Sequence, residues 1–335
     1  MNYSTLVEEY RGGVLENIHF GVICGVDESG KVILSAGSEE HMTFLRSAAK
    51  PFQAIPVAKQ KIDEKFGLTS REAALFAASH RGETYHMEGL ESILKKTGIS
   101  EEELLTCPTY PLNEEPKFAC LREGVPKRRL FHNCSGKHLG FLALSKEMGY
   151  PTDSYYDVSH PAQQSALEAF AYLAEYPKDK IGLGVDGCGF PVFAVPLVNI
   201  AKAYLKLACP DLIADAETRE AVVKITGWMS ANPDIIASHN FVCTALLTDP
   251  NIIAKGGAMG VYGFGLKKER ISFALKVLDG SELVWPLVIA SILEQINYEN
   301  KDTIERLRAL VPSEIKNDNH LVVGEKRTVF QLEKR

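Results

Sequence analysis

The sequence predicts an α+β fold in which strands from both ends of the chain build one antiparallel sheet and a helical lobe is inserted between them. Two observations carry this. Short alternating runs of β-forming residues occur near the N-terminus and again after about residue 250. Between them, most segments carry the periodicity of helices.

The first strands lie in Val14–Gly37, which reads as a hairpin around the turn Asp27-Glu28-Ser29-Gly30. Helical patterns follow at Pro56–Phe66, Ser70–Ser79, Met87–Lys96 and Pro161–Ala174, the second opening on an incomplete capping box, Ser70-Arg71-Glu72-Ala73. Over Asn251–Gly280 short apolar runs return, divided by Gly256-Gly257, Gly263, Gly265 and the charged turn Lys267–Arg270, and these read as strands. Helices are expected over Ser281–Asn297 and Lys301–Leu310, with one or two last strands in His320–Leu332. The expected organisation is a single domain over 1–335, with a sheet lobe from about 1–50 and 245–335, a helix-rich lobe from about 51–244, and a cleft between them.

Composition narrows the function. The 335 residues include 37 basic and 43 acidic side chains, a net charge of −6, with no block of one sign long enough to track a phosphate backbone. Nucleic acid and anionic membranes are therefore not expected partners. The apolar run Leu283–Leu293 is too short to span a bilayer, and no basic segment followed by an apolar stretch opens the chain, so the expected location is the cytoplasm. Seven cysteines, an odd number, suit reduced thiols better than a disulfide framework. Clustered cysteines then point to a metal or to catalysis.

Arg46-Ser47-Ala48-Ala49-Lys50-Pro51 holds Ser-x-x-Lys, which in a helical turn sets a hydroxyl and an amine on one face. A serine needs a base to take its proton, and a lysine serves when burial or neighbouring positive charge keeps it neutral. Pro51 disfavours helical torsions at Lys50, so the pair is expected on a tight turn entering a helix. Ser79-His80-Arg81-Gly82-Glu83-Thr84-Tyr85-His86 ends an apolar segment in a polar cluster that reads equally as a second hydroxyl with acid or base groups and as a surface turn. His132–His138 and Gly184–Pro191 are two cysteine segments rich in ligand-type side chains, yet neither has standard zinc spacing. Gly182, Gly184 and Gly187 match a dinucleotide fingerprint, but Pro191 stands where its helix should run. Lys255-Gly256-Gly257 places a lysine on a strand, as the Lys-Thr-Gly element does downstream of Ser-x-x-Lys in penicillin-recognising enzymes.

Taken together, Arg46-Ser47-x-x-Lys50-Pro51, Ser79-His80-x-Gly82-Glu83-x-x-His86, Asn133-Cys134-Ser135-Gly136-Lys137-His138, Asp186-Gly187-Cys188-Gly189-x-Pro191 and Ala274-Leu275-Lys276-x-x-Asp279-Gly280 resemble the Rhizobium-type L-asparaginases. The resemblance runs from about Val14 to Gly280. It implies a serine β-lactamase-like or glutaminase-like fold, a homodimer, and hydrolysis of the side-chain amide of L-asparagine. Two catalytic pairs carry over, Ser47 with Lys50 and Ser79 with Lys255. A zinc site carries over onto Cys134, Lys137 and Cys188, with Asp186 beside it and Cys243 near it, and the metal is not expected to be strictly required for turnover. Candidate substrate contacts are Arg46, His80, Glu83, Asp186 and Gly257. The sequence departs from the family around Ser238–Cys243, where glycines and an arginine are missing, and at Met259, where a glutamate is expected. Competing readings are a glutaminase-like or other serine amidohydrolase, a penicillin-binding protein or β-lactamase, and a non-catalytic zinc-binding scaffold.

Overall fold

A computed structural model describes residues 2–335. The described strands, in chain order, are β1 (Ser4–Arg11), β2 (Val14–Val26), β3 (Val32–Ala36), β4 (Met42–Phe44), β5 (Gly182–Val185), β6 (Pro191–Pro196), β7 (Ile252–Gly257), β8 (Val261–Leu266), β9 (Ile271–Val277), β10 (Glu314–Lys316), β11 (Val322–Thr328) and β12 (Glu333–Lys334). The chain divides into two compact units, one formed by Met1–Ala48, Ala194–Cys209 and Asn240–Arg335, the other by Ala49–Phe193 and Pro210–His239.

The first unit is built on a sheet of order β10-β11-β1-β2-β9-β8-β7, with β3 also on β2 and β12 on β3. Its pairings are antiparallel and draw on both ends of the chain, as an α+β class requires. The expected hairpin is β2 and β3. The long β2 is largely exposed over its first half and buried from Gly21 onward, which is where β9 and β3 flank it. Strands β7 and β8 are buried throughout, so both faces must be apolar and neither shows period-two alternation. One face carries the helix Leu197–Ala208, whose Tyr204 ring lies against Gly263 of β8. That helix falls within the stretch expected to form the helical lobe, yet it belongs to the sheet unit, where it is buried along almost its whole length. On the opposite face Trp285, which opens the helix Trp285–Gln295, stacks edge-on against Tyr262 with ring centres 5.1 Å apart.

The second unit is mainly helical. Its central helix, Ser135–Met148, is buried without a break from Ser135 to Ser145. Glycines let it approach the tight turn Leu75–Ala77: a Cβ on Gly136 would lie 2.3 Å from Leu75 O, and one on Gly140 3.0 Å from the Phe76 ring. Around it stand Thr84–Thr97 and Pro161–Ala174, the latter as expected. The expected helix Pro56–Phe66 is instead two short helices, Ile55–Lys59 and Ile62–Lys65, broken where Lys61 takes φ of +53°. The expected Ser70–Ser79 helix is α-helical only to Ala74, and its complete capping box lies one residue earlier, between Thr69 and Glu72. In the sheet unit Lys301–Leu310 matches expectation and Trp285–Gln295 is shorter than expected. No described helix is long and apolar enough to cross a membrane.

Candidate active site

In the sheet unit the chain leaves β4 and turns at Arg46, whose φ of +50° is in the left-handed region, into the 3-10 turn Arg46–Ala49. Ser47 lies in that turn and is half-buried. Strand β7 backs directly onto it. A Cβ on Gly257 would sit 2.3 Å from Leu45 O and 2.8 Å from Ala48 N, so only glycine permits the approach. Lys255 is two residues before Gly257 and therefore faces the same side of the sheet. Its side chain is 1% exposed, and Nζ donates to Gly256 O at 2.7 Å. Behind the strand, on the other face, Cys243 Sγ accepts from Gly256 N at 3.4 Å and from the Tyr262 hydroxyl at 3.3 Å.

In the helical unit Lys50 opens the helix Lys50–Gln53 with Pro51 in its first turn, as the motif predicts. Its side chain is fully buried, with Nζ within hydrogen-bond distance of Ala78 O (2.6 Å), Ser79 Oγ (2.9 Å) and Asn133 O (3.3 Å). The close packing of the Gly136 helix on Leu75–Ala77 explains this convergence: Ala78 and Ser79 follow the turn, and Asn133 precedes the helix. Ser79 is fixed further by its N–H, which donates to Ile236 O at 2.8 Å. Burial lowers the pKa of Lys50, with the positive charge of Lys137 adding to the effect and Cys134 and Cys188 opposing it.

A second cluster adjoins Lys50 in this unit. Cys134 and Cys188 are buried and share a thiol hydrogen bond. That bond from Cys188, aided by Lys50, His132 and Lys137, draws the Cys134 pKa far down against burial, while donating the same bond keeps Cys188 a thiol. Lys137 Nζ lies 3.4 Å from Cys188 Sγ and 4.3 Å above the centre of the Phe190 ring. Burial works against its charge, but the two cysteines and Asp186 outweigh it and raise its pKa. Asp186 is held in a tight loop, its N–H donating to Phe190 O and its carbonyl accepting from Gly189 N, both at 2.8 Å; Gly189 has φ of +89°. Two soft thiol donors and an amine thus converge, a donor set that fits zinc. His138 Nε2, on the neighbouring position, is buried and lacks a hydrogen-bond partner among the described residues, while its Nδ1 meets the Tyr155 hydroxyl at 2.7 Å. No group of three or more His, Cys, Asp or Glu side chains is arranged for a metal among the described residues, so any site here depends on the lysine.

The remaining candidates have structural partners. His80 is fully buried, its Nε2 2.9 Å from Ser135 Oγ, and burial, helped by His86 and Lys50, keeps it neutral. Glu83 forms the N-cap of Thr84–Thr97, where His86 Nδ1 accepts from Glu83 N at 3.2 Å. Its carboxylate also accepts from Asn113 Nδ2 (2.5 Å) and Ser238 Oγ (3.2 Å). Asn133 and His138 stand in a motif that the sequence shows but without a role assigned to them, whereas Ala78, which acts through its backbone carbonyl, and Tyr204 leave no signature there.

A family model described as L-asparaginase II matches residues 7–328. No curated protein matches the sequence. Among solved structures, a β-lactamase of Mycobacterium bovis is 13% identical with a TM-score of 0.40, the match covering 82% of this chain and 94% of the other. A Bacillus glutaminase is 12% identical with a TM-score of 0.41, covering 84% and 92%.

Proposed function

The chain belongs to the L-asparaginase II family, and from that premise we propose that it hydrolyses the side-chain amide of L-asparagine to L-aspartate and ammonia through a serine ester. The observation that carries the Ser-Lys chemistry is the buried Lys50, three residues after Ser47 in the sequence, held on Ser79 at 2.9 Å with a lowered pKa. In this reading neutral Lys50 takes the Ser47 proton as Oγ attacks the amide carbon. The tetrahedral adduct collapses with rupture of the C–N bond. A proton passed from Lys50 through the Ser79 hydroxyl to the leaving nitrogen gives ammonia. Water then attacks the aspartyl ester, the base accepts its proton, and Ser47 regains a hydrogen as aspartate departs. Ser79 with Lys255 is the second proposed pair, as the family resemblance implies. Arg46, His80, Glu83, Asp186 and Gly257 are the proposed substrate-side residues.

We propose further that zinc is held by Cys134, Lys137 and Cys188. Bound there, it would supply a fixed positive charge and require Lys137 to give up its proton. The protein acts as a homodimer in the cytoplasm in this account. Glutaminase activity is the second reading, since the two amides differ by a single methylene. A coupled ammonia assay on both amino acids tests the function: faster release from L-asparagine is expected, and release from neither refutes it.

A further inference from the structure

Strand β8 spends two interior positions on glycine, Gly263 and Gly265, although glycine weakens a strand. Both lie beneath Tyr204 of the helix Leu197–Ala208: a Cβ on Gly263 would come 2.3 Å from the Tyr204 ring, and one on Gly265 2.9 Å from Tyr204 O. Gly263 therefore admits the ring, and Gly265 admits the backbone of the helix beside it. Tyr204 is fully buried, and its hydroxyl ends 2.7 Å from Ala48 O and 3.2 Å from Lys255 O. One carbonyl belongs to the residue after Ser47, the other to Lys255 itself. Gly257 brings the same turn and strand into contact at 2.3 Å for its notional Cβ, so the hydroxyl sits where the two elements are already forced together.

Resting on the reading of Ser47 and Lys255 as catalytic groups, we infer that Tyr204 is a positioning residue whose hydroxyl clamps the Ser47 turn to strand β7 and fixes the placement of both side chains. Neither carbonyl can be replaced by a side-chain substitution, so the phenol is the adjustable member of the arrangement. Burial raises its pKa well above that of free tyrosine, so the donor persists at the alkaline pH at which a lysine base works. A small displacement of a reacting group is costly in rate even where binding is unaffected.

The test is Tyr204→Phe, which keeps the ring and removes one oxygen. Its melting temperature is expected to stay near that of the wild type, with kcat for L-asparagine falling about tenfold or more and KM changing by less than about threefold. A kcat within about twofold of wild type in the folded variant overturns the inference. Hydrogen exchange supplies a readout independent of turnover: peptides covering residues 45–49 and 254–258 should exchange faster in Tyr204→Phe, and unchanged exchange also overturns the clamp. Absence of ammonia release by the wild type defeats the functional reading instead. Should Tyr204→Phe not fold, Gly263→Ala, which presses on the same ring, is read by the same two measurements.

Discussion

Replacing Ser79 with alanine removes a side-chain hydroxyl from the partners of Lys50, whose amine keeps the carbonyls of Ala78 and Asn133. A hydrogen bond between neutral groups contributes about 0.5–1.5 kcal/mol, and Ser79 is 8% exposed, so the bond is buried. Stability should therefore fall by up to about 1.5 kcal/mol, a drop in melting temperature of a few degrees at this chain length. The effect on rate is larger. Loss of a proton relay costs about 10²–10⁴ in kcat, whereas loss of a structural hydrogen bond alone would leave turnover near normal in the folded variant. Ammonia release at saturating L-asparagine, measured below the melting transition, separates the two. Activity within about threefold of wild type would refute the relay.

Further outcomes follow from the electrostatics. Because burial lowers the Lys50 pKa, kcat should rise with pH through an apparent value below the free-lysine 10.5, and an acidic limb near 4 with a flat profile above it would instead indicate a carboxylate base. His86 is pushed down to about 4, chiefly by burial. The unfolded chain thus binds a proton between about pH 6.5 and 4 that the folded chain refuses, so about 3 kcal/mol of stability present at neutral pH is lost as pH falls through this window. Denaturant unfolding at several pH values should show that slope, and His86→Gln should flatten it. Cys188→Ala should abolish zinc uptake, read by metal analysis after incubation and removal of free metal, while leaving measurable turnover; undiminished zinc content would remove Cys188 from the site.

The parts of the fold with strong local signals were legible: the β2–β3 hairpin, the glycine-divided strands after residue 250 and the helices Pro161–Ala174 and Lys301–Leu310. Strand β1, Ser-Thr-Leu-Val-Glu-Glu-Tyr-Arg, was not, because its charged residues break the apolar alternation and its place is set by pairing with β2 and β11. The helix Leu197–Ala208 was not assigned to the sheet, since a local period says that a helix exists and not what it covers. At the site, Ser47 and Lys50 were visible through spacing within one turn. The bond from Lys50 to Ser79 joins residues 29 apart and depends on Gly136 and Gly140 admitting the central helix. Such contacts arise from packing and leave no local pattern to read.

The proposed chemistry depends most directly on the identity of the nucleophile. Rapid acid quenching during turnover of L-asparagine or its hydroxamate, followed by peptide mapping by mass spectrometry, should place an aspartyl ester on Ser47 and lose it in Ser47→Ala. An ester on Ser79, or full turnover by Ser47→Ala, would contradict it.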